Sequence, residues 1–395
     1  MKDVPYREWR TYGVAVAGRT YQVATTPGAF ANGRIDPATT LLAEHVEVKE
    51  GDTMVQMNCG GGLVGAVAAL AGGAGRVLLS DRNIVSVEAA TRTLEANGVS
   101  NGEVFLGHGA NALPAGTNAG AVAIRVPQER IALLQLLADA FRMLEVGGRC
   151  YIAGATNEGI KTAANTIETL FGNARVLSRD SSHRVISAVK RTVEPASDDG
   201  LDNPYLNTNT FHELRATLRG TPLTLYSRPG VFSWDHLDEA TAILADAMQV
   251  HPGNTVLDLG CGFGALGITA ASLSKGGRIT MVDADAEAVR SAARSADANA
   301  VENYRAITSD IASAVLGHKF DVVVTNPPFH VGKATDLDVP KQFIADAWDV
   351  LGAGGRLFLV ANRTLPYERV IRDTFGNLTT LHDGARFKVL CARKA

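Results

Sequence analysis

The sequence predicts an α/β protein made of two tandem domains, each a mostly parallel sheet flanked by helices. Three observations carry this. The 395 residues exceed one ordinary domain and match two or three. The two halves repeat: MVQMNCGGGLVGAVAAL at 54–70 echoes VLDLGCGFGALGITAAS at 256–272, an offset of 202. Within each half, short apolar runs alternate with helical patterns, the signature of parallel strands joined by crossover helices.

The same offset pairs Cys59 with Cys261, Gly62 with Gly264, Gly65 with Gly267, Asp81 with Asp283 and Asn97 with Asn299. Later, Leu-Glu-Val-Gly-Gly-Arg at 144–149 echoes Leu-Gly-Ala-Gly-Gly-Arg at 351–356, and Phe171-Gly172-Asn173 echoes Phe375-Gly376-Asn377. So many matches in one order mark a duplicated domain, and the period is far too long for a solenoid. The expected domains are 1–193 and 209–395. Between them, 194–208 opens with Glu194-Pro195-Ala196-Ser197-Asp198-Asp199-Gly200, the polar composition of a linker.

In the second half, 255–259, 277–282, 320–325 and 356–360 read as buried strands, because short Val- and Leu-rich runs fit a sheet covered on both faces. Helical spacing covers 266–274, 286–299 and 341–351, while 386–393 alternates like an edge strand. The segment 215–227 adds extra strands before the core.

Composition is that of a globular chain: 46% hydrophobic, 20% charged, net charge −3. That charge excludes a generally basic, nucleic-acid-coating protein, so any RNA contact must use a local patch. The four cysteines, Cys59, Cys150, Cys261 and Cys391, are far apart and form no CxxC pair. No disulfide framework or zinc site is expected, and a reducing cytoplasm fits. The N-terminus lacks the apolar core of a signal peptide, and no apolar stretch is long enough to span a membrane.

Two stretches carry chemistry. Asp258-Leu259-Gly260-Cys261-Gly262-Phe263-Gly264 follows a strand and opens a helix. Its glycines permit a tight turn and let a ligand approach the backbone. Asp283, at the end of the next strand, is placed to take both hydroxyls of a ribose. On this loop alone, a nicotinamide dinucleotide and S-adenosylmethionine compete. Asp310 follows the third strand and is placed to receive an adenine amino group. The second stretch is Asn326-Pro327-Pro328-Phe329-His330, directly after the strand 320–325. The prolines end the strand because they cannot donate to a ladder. The amide offers one acceptor and two donors, and the ring offers a stacking face.

The order of these motifs resembles that of the class I S-adenosylmethionine-dependent methyltransferases. Asn-Pro-Pro-Phe resembles the subgroup that methylates exocyclic or amide nitrogens. With Arg228-Pro229-Gly230-Val231-Phe232-Ser233 and the run Ala361-Asn362-Arg363-Thr364-Leu365-Pro366-Tyr367, the chain looks like the ribosomal RNA guanine-N2 methyltransferases. The small-subunit (16S) group is the nearer match and the large-subunit (23S) group the second. The likeness covers nearly the whole chain. It implies two Rossmann-like methyltransferase domains, each with a mostly parallel seven-stranded sheet, of which only the second is active.

The resemblance implies that Phe232, Asp258, Gly260, Gly262, Phe263, Gly264, Asp283, Ala284, Asp310, Ile311 and Asn326 bind S-adenosylmethionine. Asn326, Pro327, Pro328 and Phe329 would hold the target base: the Asn326 oxygen and Pro327 carbonyl accept the amine hydrogens, and Phe329 stacks. Arg228, His330, Lys333 and Arg363 are candidates for RNA contact, as are Arg386 and Lys388. No metal and no protein partner is expected; the partner is ribosomal RNA or a ribosomal subunit.

The first half departs from the motif. Gln56 stands for Asp258, Asn58 for Gly260 and His108 for Asp310, and Val126-Pro127-Gln128-Glu129 is set against Asn-Pro-Pro-Phe. Asp81 and Gly60 to Gly62 keep a cofactor loop in outline. A degenerate domain that supports folding and positions RNA is expected. A protein glutamine or DNA adenine N-methyltransferase shares the tetrapeptide, but the tandem repeat argues against it. A non-catalytic RNA-binding scaffold conflicts with the intact second-half motif.

Overall fold

The computed structural model describes residues 6–31, 33–328 and 338–395. The chain divides into two compact units, Met1–Thr210 and Phe211–Ala395. The stretch 194–208, read as a linker, belongs to the first unit: the Ala196 amide donates to the Leu170 carbonyl, and Leu206 is buried.

The first unit runs β1 (Arg10–Val16), β2 (Arg19–Thr25), α1 (Pro37–Ala43), β3 (Thr53–Met57), α2 (Leu63–Leu70), β4 (Arg76–Asp81), α3 (Ile84–Ala96), β5 (Gly102–Leu106), β6 (Ala119–Arg125), α4 (Arg130–Met143), β7 (Leu144–Ala155), α5 (Ile160–Phe171), β8 (Arg175–Arg179) and β9 (His183–Val189). The second runs β10 (His212–Leu218), β11 (Thr221–Ser227), α6 (Glu239–Ala247), β12 (Thr255–Leu259), α7 (Ala265–Leu273), β13 (Arg278–Asp283), α8 (Ala286–Ala298), β14 (Tyr304–Thr308), β15 (Phe320–Thr325), α9 (Asp338–Val350), β16 (Leu351–Asn362), α10 (Tyr367–Phe375), β17 (Thr379–Asp383) and β18 (Phe387–Arg393). The strands expected at 255–259 and 320–325 have those bounds, and the extra strands expected near 215–227 are the hairpin of β10 and β11.

Each unit holds one seven-stranded sheet of the same topology, β5-β4-β3-β6-β7-β9-β8 and β14-β13-β12-β15-β16-β18-β17. In the second unit, β12 pairs in parallel with β13 on one side and β15 on the other. Only β18 runs against its neighbours. The central strands read as continuous apolar runs because helices cover both faces. Val256, Leu257, Val322, Val323 and Val324 are essentially fully buried. The strand order reverses between β12 and β15, and there the carboxyl ends of the strands open a crevice.

Each hairpin is fastened to a helix by an asparagine that the repeat had singled out. Asn299 accepts from the Thr224 amide at 3.1 Å and donates to the Thr224 carbonyl at 2.7 Å. Asn97 makes the same pair with Gln22, at 2.9 and 2.7 Å. Side-chain amides thus satisfy a strand edge that would otherwise be open.

The turn from β12 into α7 is held by a buried side chain. Asp258 Oδ2 accepts from the Gly267 amide at 2.8 Å. Gln56 does this in the first unit, accepting from Gly65 at 2.9 Å, and its Nε2 also donates to the Cys59 carbonyl at 3.0 Å. Asp258 Oδ1 is buried and has no partner among the described residues. Burial pushes the Asp258 carboxyl up to about 7; the Gly267 amide opposes this and the Asp283 charge adds to it.

The unfolded chain releases this proton near ~3.9. Between the two values the folded state binds the extra proton, so the Asp258 contribution to stability falls as pH rises through this window and is flat above it. Asp258→Asn stays neutral throughout. Its stability relative to the parent is expected to improve from about pH 4 to about pH 7 in urea melts. A difference that does not vary with pH would mean that Asp258 is ionised in the fold.

Candidate active site

Three loops of the second unit meet at the switch point. The first, after β12, is the glycine turn: Gly260, Gly262 and Gly264 have φ of 76°, 53° and 88°, a region that glycine alone enters without strain. A methyl group built on Gly262 would meet nothing within 4 Å, so the Cα of this residue borders open space. The second, after β13, begins at Asp283. Its Oδ2 accepts from the Gly262 amide and its Oδ1 from the Asp285 amide, each at 2.9 Å. Asp285, not Asp283, caps α8. A carboxylate holding two amides still has lone pairs for hydroxyl donors. Asp310, half-buried, lies on the loop after β14, and the neighbouring Ser309 amide donates to the Asp283 carbonyl at 2.8 Å. Ala284 is half-buried beside Asp283, and Ile311 is buried beside Asp310.

The third loop, after β15, carries Asn326. Its Nδ2 donates to Asp238 Oδ2 at 3.0 Å and to Thr241 Oγ1 at 2.9 Å. Asp238 is the N-cap of α6, its Oδ2 accepting from the Thr241 amide at 2.9 Å. Asn326 Oδ1 is buried and has no partner among the described residues. Pro327 is buried and Pro328 exposed. Phe329, His330 and Lys333 lie outside the described residues. Asp238 and Thr241 escaped the sequence reading. Their signal was the Asp-x-x-Thr spacing of a helix cap, repeated 202 residues earlier at Asp36 and Thr39.

Several expected ligand contacts have other work. Arg228 is 2% exposed and pairs with Glu287 at 3.2 Å, so it cannot reach an RNA phosphate. Lys388 is buried, and its Nζ donates to the Leu365 carbonyl at 2.7 Å and pairs with Glu368 at 2.5 Å. The Phe263 ring packs in the core and leaves only its backbone for a ligand. Phe232 is 62% exposed, free to cover a ring. Arg363 and Arg386 are exposed at the adjoining strand ends, held by Asp383 and Glu239 respectively.

The first unit fills the corresponding crevice with its own side chains. Gln56 pairs with Ala123 across its sheet, whereas Asp258 pairs with Val324. This register sets Arg125, not Val126, against Asn326; the alignment on Val126 to Glu129 was one residue out. Arg125 binds Asp36 and Glu158, each at 2.7 Å, and lies 5.3 Å from the centre of the Phe30 ring. Burial pushes the Asp36 carboxyl up, but the bonds and charge of Arg125 outweigh it and hold it below the usual range. Phe30 matches Phe232, and its ring comes within 3.7 Å of where a methyl on Gly60 would stand. Asp81 keeps the amide of Gly60 at 2.9 Å, so this acid survives as a clamp on the turn.

Known proteins resemble the chain over most of its length. The ribosomal RNA small subunit methyltransferase C of Serratia proteamaculans is 32% identical over 262 residues, 66% of this chain and 70% of that protein. Its namesake from Erwinia tasmaniensis is 33% identical over 270 residues, 68% and 73% of the two chains. Among solved structures, the T. thermophilus 16S rRNA N2 G1207 methyltransferase (RsmC), in complex with AdoMet and guanosine, matches with a TM-score of 0.81 and 31% identity over 98% of both chains. Both repeats match one family description, over residues 20–187 and 222–391, and the chain belongs to the methyltransferase small domain family.

Proposed function

We propose that this protein transfers a methyl group from S-adenosylmethionine to the exocyclic N2 amine of a guanine in 16S ribosomal RNA, and that the second unit does the chemistry. The observation that carries the reading is the Asn326 amide, whose NH2 is bound by Asp238 and Thr241 while its buried oxygen has no partner among the described residues. An unpaired buried acceptor costs about 1–3 kcal/mol, and an amine hydrogen satisfies it. The relatives named for small-subunit RNA favour 16S over 23S RNA, and over a protein glutamine or a DNA adenine.

The cofactor fits the residues present. Gly260 to Gly264 and Asp283 to Ala284 form a cradle with room at Gly262, the loop of Asp310 and Ile311 is tied to Asp283 through the Ser309 amide, and the exposed Phe232 is assigned to cover the adenine. Asp258 supports the turn from below. When bound there, S-adenosylmethionine supplies an electrophilic methyl group on a sulfonium. The chain's own residues prepare the acceptor. The guanine N2 lone pair is delocalised into the ring. Hydrogen bonds from the amine to Asn326 Oδ1 and the Pro327 carbonyl localise it and aim it. Positioning of this kind lowers a barrier by roughly 7–11 kcal/mol. No strong base is needed, because the methylated amine is acidic and sheds its proton to water. Phe329 would stack on the base. A paired guanine cannot enter such a pocket, so the target is unpaired or flipped.

The first unit, on this reading, binds no cofactor, because Arg125 and Phe30 lie in its crevice; it serves folding and RNA placement. Among the described candidates, Arg363 and Arg386 are exposed, each ion-paired at the surface, and are assigned to meet phosphate. The described residues contain no helix long and apolar enough to cross a membrane and no cluster of ligands for a metal. We place the protein in the cytoplasm with its RNA.

Asn326→Ala is expected to lower methyl transfer at least ~100-fold, a loss typical of removing one aligned polar group. Binding of S-adenosylhomocysteine, read by calorimetry, should stay within about twofold. Equal losses in both would remove the amide from its assigned role. Asp283→Ala should instead weaken cofactor binding by about tenfold or more, near 1.4 kcal/mol; an unaltered dissociation constant would sink the ribose assignment. Asp81→Ala should leave turnover of the folded protein within about twofold, and a dead but folded variant would restore the first unit to the catalytic machinery.

A further inference from the structure

The contacts of Asn326 form a closed ring. Thr241 Oγ1 donates to Asp238 Oδ2 at 3.2 Å, which leaves its lone pairs to accept from Asn326 Nδ2 at 2.9 Å. The second Nδ2 hydrogen goes to the same Asp238 oxygen at 3.0 Å. An ionised carboxylate only accepts. The amide must therefore turn its NH2 toward Asp238 and its oxygen away. A flipped amide would set two acceptors against each other and leave the NH2 of Asn326 unpaired.

We propose that Asp238 and Thr241 are positioning residues for methyl transfer: they lock the Asn326 amide with its oxygen toward the substrate, and so select an acceptor atom that carries hydrogens. This rests on the reading of Asn326 given above. A site that offers an acceptor binds an exocyclic amine and repels a ring carbonyl, because a wrong partner leaves buried polar groups unpaired. The charge on Asp238 also polarises the amide through its N–H, which makes the oxygen a better acceptor.

The duplicated domain supports the assignment independently. In the first unit the same helix cap recurs, with Asp36 accepting from the Thr39 amide at 2.8 Å. There its carboxylate takes the Arg125 guanidinium at 2.7 Å. The fold thus delivers an aspartate to this strand end in both copies. Only in the second does the aspartate meet an amide with two distinguishable ends.

The test is a double-mutant cycle in the full-length protein, with 16S RNA, free and in assembled subunits, as substrate and radiolabelled methyl transfer as the readout. Asp238→Asn keeps an oxygen for the helix cap and removes the charge. It should lower kcat by about tenfold or more, with S-adenosylhomocysteine affinity within about twofold and an unshifted melt. Thr241→Val should act in the same direction, and Thr241→Ser should restore the rate.

In the Asn326→Ala background, Asp238→Asn should change the residual rate by less than about twofold, because a residue acting through Asn326 has nothing left to act on. Losses that multiply in the double variant would overturn the proposal while leaving the role of Asn326 intact. Full activity of Asn326→Ala alone would overturn that role instead. If Asp238→Asn fails to fold, the Thr241 pair decides: equal rates for Val and Ser would reject the lock.

Discussion

The hydrogen bonds from the Asn326 amide to Asp238 and Thr241 are the constraint on which the proposed chemistry of the second unit depends. They tie the end of β15 to the start of α6, elements separated by more than eighty residues of chain. A neutral amide has two ends that differ by one proton pattern, and a carboxylate distinguishes them. The cap of α6 thereby has two effects. It satisfies the orphan amide of Thr241, and it leaves one buried oxygen of Asn326 for a ligand.

The same scaffold carries a different outcome in the first unit. There the strand-end residue is Arg125, and a guanidinium needs anions on more than one side. Asp36 and Glu158 supply them, and Phe30 covers the remaining face. That arrangement is self-sufficient, with buried charges paired as burial demands. The turn tells a parallel story. Gln56 satisfies both the Gly65 amide and the Cys59 carbonyl, whereas Asp258 has one oxygen without a partner among the described residues. One copy is closed on itself, and the other retains open polar capacity beside open space at Gly262.

Much of this was legible in the chain. Strands β12 and β15 could be bounded because parallel strands buried on both faces show as short Val- and Leu-rich runs between turn residues. The glycine turn could be placed because its positive φ angles demand glycine. The asparagines 97 and 299 stood out in the repeat, and they proved to hold each hairpin to its helix. Cations were harder. Arg228 and Lys388 looked like surface charges, but sequence does not show burial, and Glu287 and Glu368 hold them inside. The family resemblance set Phe263 beside the cofactor, yet its ring packs in the core. Arg125 was missed by one position: the repeat offset changes between the cofactor loop and this strand, and only the pairing of the strands fixes it.

By itself, the sequence determined the duplication, the α/β class, the glycine turn and the amide at a strand end, because each depends on local backbone chemistry or on spacing within one half. Only the tertiary structure decided which side chains those features meet. Asp238 and Asn326 are 88 residues apart, and Arg125 and Asp36 are 89 apart. Nothing local joins either pair. The sheet brings each β15-like strand end to a helix cap, and there the difference between an amide and a guanidinium separates a site with a spare acceptor from one already filled.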